Sequence, residues 1–222
     1  MDKTIQIHKD SNEVLYLISN DERLRIINFI GDLELVIHTD YFISLCKLII
    51  GQQLSLITAS TIWDRVLALC SDINPHVIIG MSEDILRSIG ISRAKIQYIK
   101  NLAIAINEKY LDLNNIDNLD NDEIIDKLIS IKGIGRWTAE MFLIFSLGRL
   151  DVFSAGDGSI KRAINWLYSR YTPIDNNKLI EISSKWSPYR TIASLYLWEL
   201  IDKGIITRYK NYEEFKFNNE KL

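Results

Sequence analysis

Asp157 is the residue on which chemistry in this 222-residue chain would turn. It follows Ala155-Gly156 and stands where an amphipathic segment begins, with Ile160, Ala163, Ile164 and Leu167 on one stripe and Lys161, Arg162 and Asn165 opposite. A carboxylate in that place accepts hydrogen bonds from the amides of the first helical turn. Those bonds and the helix dipole favour its charged form. A fixed, ionised carboxylate suits two tasks: stabilising a sugar cation as a glycosidic bond breaks, or activating the water that attacks it. Helix cap and chemical group are compatible roles, and position alone admits either.

The second feature with chemical content is Lys132-Gly133-Ile134-Gly135-Arg136. Two glycines one residue apart between helices admit positive φ, gather successive amides and lead into a helix N-terminus. Amides and dipole together form a phosphate cradle that needs little side-chain charge, with Lys132, Arg136 and Arg149 adding some. A tight αα-hairpin with no ligand accounts for the same glycines.

These groups need elements to hold them, and the spacing predicts helices almost throughout. Three prolines and ten glycines punctuate the chain, and apolar residues follow the helical period. The exceptions are 4–8 and 33–37, which alternate and are expected to pair as a ribbon. Helices are expected over 11–19 and 21–30, over Tyr41 to Ile50 behind an Asp40 cap, and from Ser55 through Leu69. Asn74-Pro75 starts a short helical turn, and Ser82 to Ser88 another, closed by Gly90. Arg93 to Glu108 carries the stripe Ile99, Leu102, Ala103 and Ile106, and residues 111–122 form a polar connector. Asp120 with Glu123 resembles a capping box for the helix ending near Ser130. Ser187-Pro188 reads as a cap plus proline launching a helix from Tyr189 to about Asp202, and the tail from Lys203 is expected to pack only partly. Ser88 to Arg93 faintly echoes Ser130 to Arg136, without its second glycine.

Composition sets the outer limits. With 47% hydrophobic and 25% charged residues the chain reads as an ordinary soluble globular protein. No apolar run approaches the length of a membrane span, and Met-Asp-Lys-Thr-Ile-Gln lacks a signal peptide's apolar region, which places the protein in the cytosol or nucleoid, or the nucleus of a eukaryote. Cys46 and Cys70 are too few for a four-thiolate zinc or iron–sulfur site, and His8, His38 and His76 are scattered. A net charge of −3 argues against holding nucleic acid by bulk charge.

Ile131-Lys132-Gly133-Ile134-Gly135-Arg136-Trp137-Thr138-Ala139-Glu140-Met141-Phe142, then Asp151-Val152-Phe153 and Asp157, resembles the helix-hairpin-helix DNA glycosylases (HhH-GPD superfamily), in particular the branch of 3-methyladenine DNA glycosylase II. The likeness continues at Ile50-Gly51-Gln52-Gln53-Leu54-Ser55 and from Lys185-Trp186-Ser187-Pro188-Tyr189-Arg190 to Tyr196-Leu197-Trp198. It implies an all-α fold of two helical lobes with an active-site cleft between them. One lobe would span 41–149 and carry the hairpin at 131–135; the other would join 1–40 to 150–222. Asp157 falls on the family's catalytic aspartate, and the base is excised after flipping from the duplex. The hairpin residues Lys132, Gly133, Ile134, Gly135 and Arg136 are expected to grip DNA, with Na+ or K+ held by the carbonyls of Ile129, Ile131 and Ile134. Gln53 falls near the position that plugs the gap left by the flipped base, or is a polar helix-end linker.

The same resemblance implies a pocket of Trp137, Met141, Gly158 and Trp198, while Trp63, Trp166 and Trp186 read better as core. Trp137 stands where strand-cleaving members carry a Schiff-base lysine, so base release by water is expected. An alkylated purine such as 3-methyladenine or 7-methylguanine carries positive charge that a tryptophan face attracts, and it leaves readily. Double-stranded DNA bearing damaged bases is the implied partner, for a monomer without an iron–sulfur cluster. The chain departs from the family where relatives tend to read Val-Phe-Pro-x-x-Asp-Leu-Gly: it has Phe153-Ser154-Ala155-Gly156-Asp157-Gly158-Ser159. Loss of the proline and of the bulky residue after the aspartate is expected to loosen the turn and widen the pocket floor. A non-catalytic protein for distorted or branched DNA, or a glycosylase for deaminated or oxidised bases, are the other readings.

Overall fold

The computed structural model describes residues 2–70, 72–169 and 173–219; parts of the second expected lobe, 1, 170–172 and 220–222, lie outside them. The chain folds as two compact units, Met1–Lys3 with His38–Leu147, and Thr4–Ile37 with Gly148–Leu222.

At the start of the chain, β1 (Lys3–Ile7) and β2 (Leu33–Ile37) pair as a two-stranded sheet. Alternation buries Leu33, Leu35 and Ile37 while Glu34 and Val36 face solvent. Between the strands lies α1 (Asn12–Asn20), capped by Ser11. The helix expected over 21–30 is instead a 3-10 turn, Glu22–Ile26, running into the short α2 (Ile27–Ile30). Asp21 explains the tighter winding: its carboxylate accepts from the Arg23 amide and is anchored by Tyr168 Oη (2.5 Å) and Trp186 Nε1 (3.0 Å).

The first unit is built around α3 (Tyr41–Gly51), which Asp40 caps and along which no residue is exposed. It packs against α4 (Leu56–Leu69), capped by Ser55. Then come α5 (Pro75–Gly80), α6 (Glu83–Ser88), α7 (Arg93–Asn107), α8 (Asn121–Ile129) behind the Asp120–Glu123 capping box, and α9 (Arg136–Phe145). Both α7 and α9 also pack on α3. Seven consecutive residues of α9, Thr138 to Ile144, are buried, so this helix is core on every side. The connector 111–122 is less polar in effect than its composition implies, because Leu111 and Ile116 are fully buried around a 3-10 turn, Ile116–Asn118.

The second unit resumes with α10 (Gly158–Tyr168), α11 (Asn176–Ser184), α12 (Arg190–Asp202), α13 (Ile205–Arg208) and α14 (Tyr212–Asn218). Ser187-Pro188 does not cap α12. Its peptide bond is cis, Tyr189 is the N-cap, and the Ser187 hydroxyl donates to Asp151 Oδ2 (2.8 Å) instead. The tail also packs more fully than expected: Ile205, Tyr212 and Phe215 are buried, and Phe215 meets Phe29, Trp166 and Tyr209 edge-on. Its aromatic side chains supply the apolar area that its charges concealed.

Candidate functional site

Asp157 is the N-cap of α10 and is buried, with 9% of its surface accessible. Its Oδ1 accepts the amides of Ser159 (2.9 Å) and Ile160 (2.8 Å), and the Trp198 indole Nε1 at 3.3 Å. The cap reading therefore holds, and it fixes the carboxylate from two sides: its own helix and α12. Packing of α10 on α12 brings those sides together.

The loop leading to Asp157 is stitched to the first turn of α12. The Thr191 hydroxyl donates to Arg149 O (2.7 Å) and accepts from the Val152 amide (3.0 Å), while the Thr191 amide donates to Leu150 O (2.9 Å). One residue away Arg190 grips Asp151 with two nitrogens, Nε to Oδ1 at 2.7 Å and Nη2 to Oδ2 at 2.9 Å. Burial of Asp151 opposes its ionisation, but hydrogen bonds from Arg190 and Ser187 outweigh it and hold the carboxyl below the usual carboxylate range. Ser154, where relatives tend to carry proline, is fully buried, and its carbonyl accepts the Asp157 amide at 3.1 Å. The turn at the departure from the family pattern is thus closed by a hydrogen bond. Gly156 and Gly158 are exposed, and a Cβ on either would meet nothing within 4 Å.

In the first unit, residues 130–135 turn between α8 and α9. Gly133 has φ +111, and a Cβ there would lie 2.1 Å from Tyr98 Cγ, so both conformation and space demand glycine. Gly135 is different: it is the N-cap of α9, makes no side-chain cap bond and leaves room beside it. The turn between α6 and α7 shows what that means. It too carries a positive-φ glycine, Gly90, but there Ser92 caps the following helix with its own hydroxyl. At α9 the N-cap Gly135 has no side chain to take that place, which suits an acceptor from outside such as a phosphate oxygen.

Lys132 is exposed, and its carbonyl accepts from Asn101 Nδ2 (3.0 Å). Arg136 Nε donates to Glu140 (2.9 Å), a carboxylate buried in α9, so part of its charge is spoken for. Ile131 O accepts the Ile134 amide (3.0 Å), and Ile129 is the last residue of α8. Gln53 is exposed and holds φ +57, unusual for a residue with a side chain. Trp137 is half-buried in the first turn of α9 and Met141, one turn on, is buried. Trp63, Trp166 and Trp186 are buried and Trp198 half-buried. The structure thus groups Asp157, Gly158 and Trp198 in one unit, and Gln53, the hairpin, Trp137 and Met141 in the other. Gln52 escaped sequence reasoning: its Nε2 donates to Gly133 O (3.0 Å) and Thr138 Oγ1 (3.1 Å). Its only signal was the doublet Gln52-Gln53.

A mostly helical chain with this turn between α8 and α9 is a protein of the helix-hairpin-helix kind. Residues 46–188 match the family described as HhH-GPD superfamily base excision DNA repair protein. The chain belongs to that family. It is 35% identical over 159 residues to DNA-3-methyladenine glycosylase 1 of Schizosaccharomyces pombe, covering 70% of this chain and 70% of that protein. Among solved structures it resembles a DNA-3-methyladenine glycosidase from Bacillus halodurans (TM-score 0.83, 37% identity, 95% of this chain and 98% of that one). It also resembles the S. pombe 3-methyladenine DNA glycosylase Mag1 in complex with abasic DNA (TM-score 0.79, 31% identity, 85% of this chain and 96% of that one).

Proposed function

We propose that this protein is a monofunctional DNA glycosylase that hydrolyses the N-glycosidic bond of alkylated purines in double-stranded DNA. The observation that carries the reading is Asp157, a buried carboxylate locked on Oδ1 by two amides and an indole. The names of the relatives support the substrate class. As the bond to an alkylated purine lengthens, the base departs with the bonding electron pair and becomes neutral, while positive charge moves to the sugar. A preorganised anion is worth most at that stage, since it interacts more strongly with the developing cation than with the starting sugar. Water then adds to the sugar carbon and gives up a proton, leaving an abasic site.

The cationic base is attracted to a tryptophan face by about 0.5–2 kcal/mol, a role open to Trp137 and Trp198. Trp137 has no amine with which to form a Schiff base, so the chemistry ends at base release. In DNA binding, the open end of α9 with Lys132 and Arg136 takes backbone phosphate, and Gln53 fills the space of the flipped base. The carbonyls of Ile129, the last residue of α8, and of Ile131 and Ile134 in the turn that follows are neutral oxygens, a donor set that fits Na+ or K+ and would extend the phosphate grip.

Asp157→Asn tests the reading. Asparagine keeps the oxygen that caps α10, so the fold and DNA binding are expected to survive while base release from duplexes carrying 3-methyladenine or 7-methylguanine falls by about three orders of magnitude or more. Equal release rates for wild type and variant would sink the catalytic role. Tight binding with no release from any lesion by wild type would establish a non-catalytic DNA-binding protein.

A further inference from the structure

Helix α7 presents Lys95, Tyr98 and Asn101, spaced i, i+3, i+6, toward two turns that are far apart in sequence. Lys95 Nζ donates to both Ile50 O and Gln52 O, each at 2.7 Å. These carbonyls close α3, where the last oxygens of a helix lack intrahelical partners and carry the negative end of its dipole. The next residue is Gln53, in its positive-φ conformation. Tyr98 occupies the space beside Gly133, and Asn101 donates to Lys132 O. Gln52 completes the frame: Lys95 holds its main chain, and its own amide holds Gly133 O and Thr138. One helix therefore fixes the Gln53 turn and the glycine hairpin to each other within a single unit.

We infer that Lys95 is a positioning residue, whose ammonium across the Ile50 and Gln52 carbonyls keeps Gln53 in register with the hairpin. Phosphate grip and entry of Gln53 into the base stack then occur as one event. The inference rests on the proposed reading of hairpin and wedge, and adds to it a residue that touches neither DNA nor the reacting atoms. Lysine suits the task because it delivers two charge-assisted bonds from one compact head, and arginine can deliver as many.

The test uses the full chain with two duplexes. One carries a tetrahydrofuran abasic analogue beside 2-aminopurine, whose fluorescence rises on unstacking; the other carries 7-methylguanine for single-turnover release. Lys95→Met is expected to keep its helical circular dichroism and its binding to undamaged DNA, to lose most of the fluorescence rise, and to release base about tenfold more slowly. Lys95→Arg is expected to restore both signals. In a Gln53→Ala background Lys95→Met should add little, because the lysine acts through that turn. Unchanged fluorescence, additive losses in the double variant, or loss of helical structure in Lys95→Met would each overturn the inference. If wild type releases no base but raises the fluorescence, the proposed enzymatic function falls and the fluorescence comparison alone decides the role of Lys95.

Discussion

Two amides and an indole end on the same oxygen of Asp157, while the residue that follows it leaves space empty. Gly158 is the first residue of α10, exposed, without a left-handed backbone and with nothing within 4 Å of a notional Cβ. Neither strain nor crowding calls for glycine there. Gly158→Leu is therefore expected to fold normally and to gain up to about 1 kcal/mol from helix propensity, read as a small rise in melting temperature. If the open space belongs to the base pocket, the variant will lose release of 7-methylguanine more than of the smaller 3-methyladenine. An unchanged ratio of the two rates would place Gly158 outside the pocket. The cap at Asp157 was legible because an acidic residue preceded a clear apolar stripe. Its bond from Trp198 was not, since 41 residues separate the partners and only the packing of α10 on α12 joins them.

At the scale of elements, the turn that leads to Asp157 is tied down by the pairing of Asp151 with the first residue of α12. Because the folded-state pKa of Asp151 is depressed, the pairing stabilises fully above the unfolded aspartate value near 3.9 and is lost as pH falls through the lower folded value. Asp151→Asn should cost about 1 kcal/mol near neutrality once solvent screening of the half-exposed pair is counted, and the gap to wild type should narrow in denaturation curves as pH falls below about 4. A gap that does not narrow at all below about pH 4 would mean the cost is packing rather than charge. Helices with their own caps, such as those begun by Asp40, Ser55 and Asp120, could be placed from sequence, for the signal and its partner lie within four residues. Helix ends closed from elsewhere could not. Lys95 closes α3 and Lys100 closes α5 through Met81 O, although both read only as the polar face of an amphipathic helix. Ser187 misled for the same reason: Asp151 competes for its hydroxyl from 36 residues away.

For the whole molecule, charge and function pull in opposite directions, and the proposed phosphate grip of the hairpin would reconcile them. With 26 basic against 29 acidic side chains, the chain has no general attraction for a polyanion. Its all-α architecture was readable from helical periodicity, yet composition alone would have argued against DNA. The proposed reading assigns binding to the amides at the start of α9, Lys132 and the part of Arg136 that Glu140 leaves exposed, its side chain being 66% accessible. Each phosphate neutralised by a side chain contributes about −0.9 to the slope of log K against log salt concentration, so the slope for undamaged duplex should be only about −2. Lys132→Ala should bring it near −1 and weaken binding equally on all sequences, whereas Gly133→Ala, driven into Tyr98, should abolish binding. Fluorescence anisotropy titrations across a salt series measure both. A slope steeper than about −5 would reveal a basic surface beyond the hairpin and refute amide-led binding as the means by which an acidic protein holds DNA.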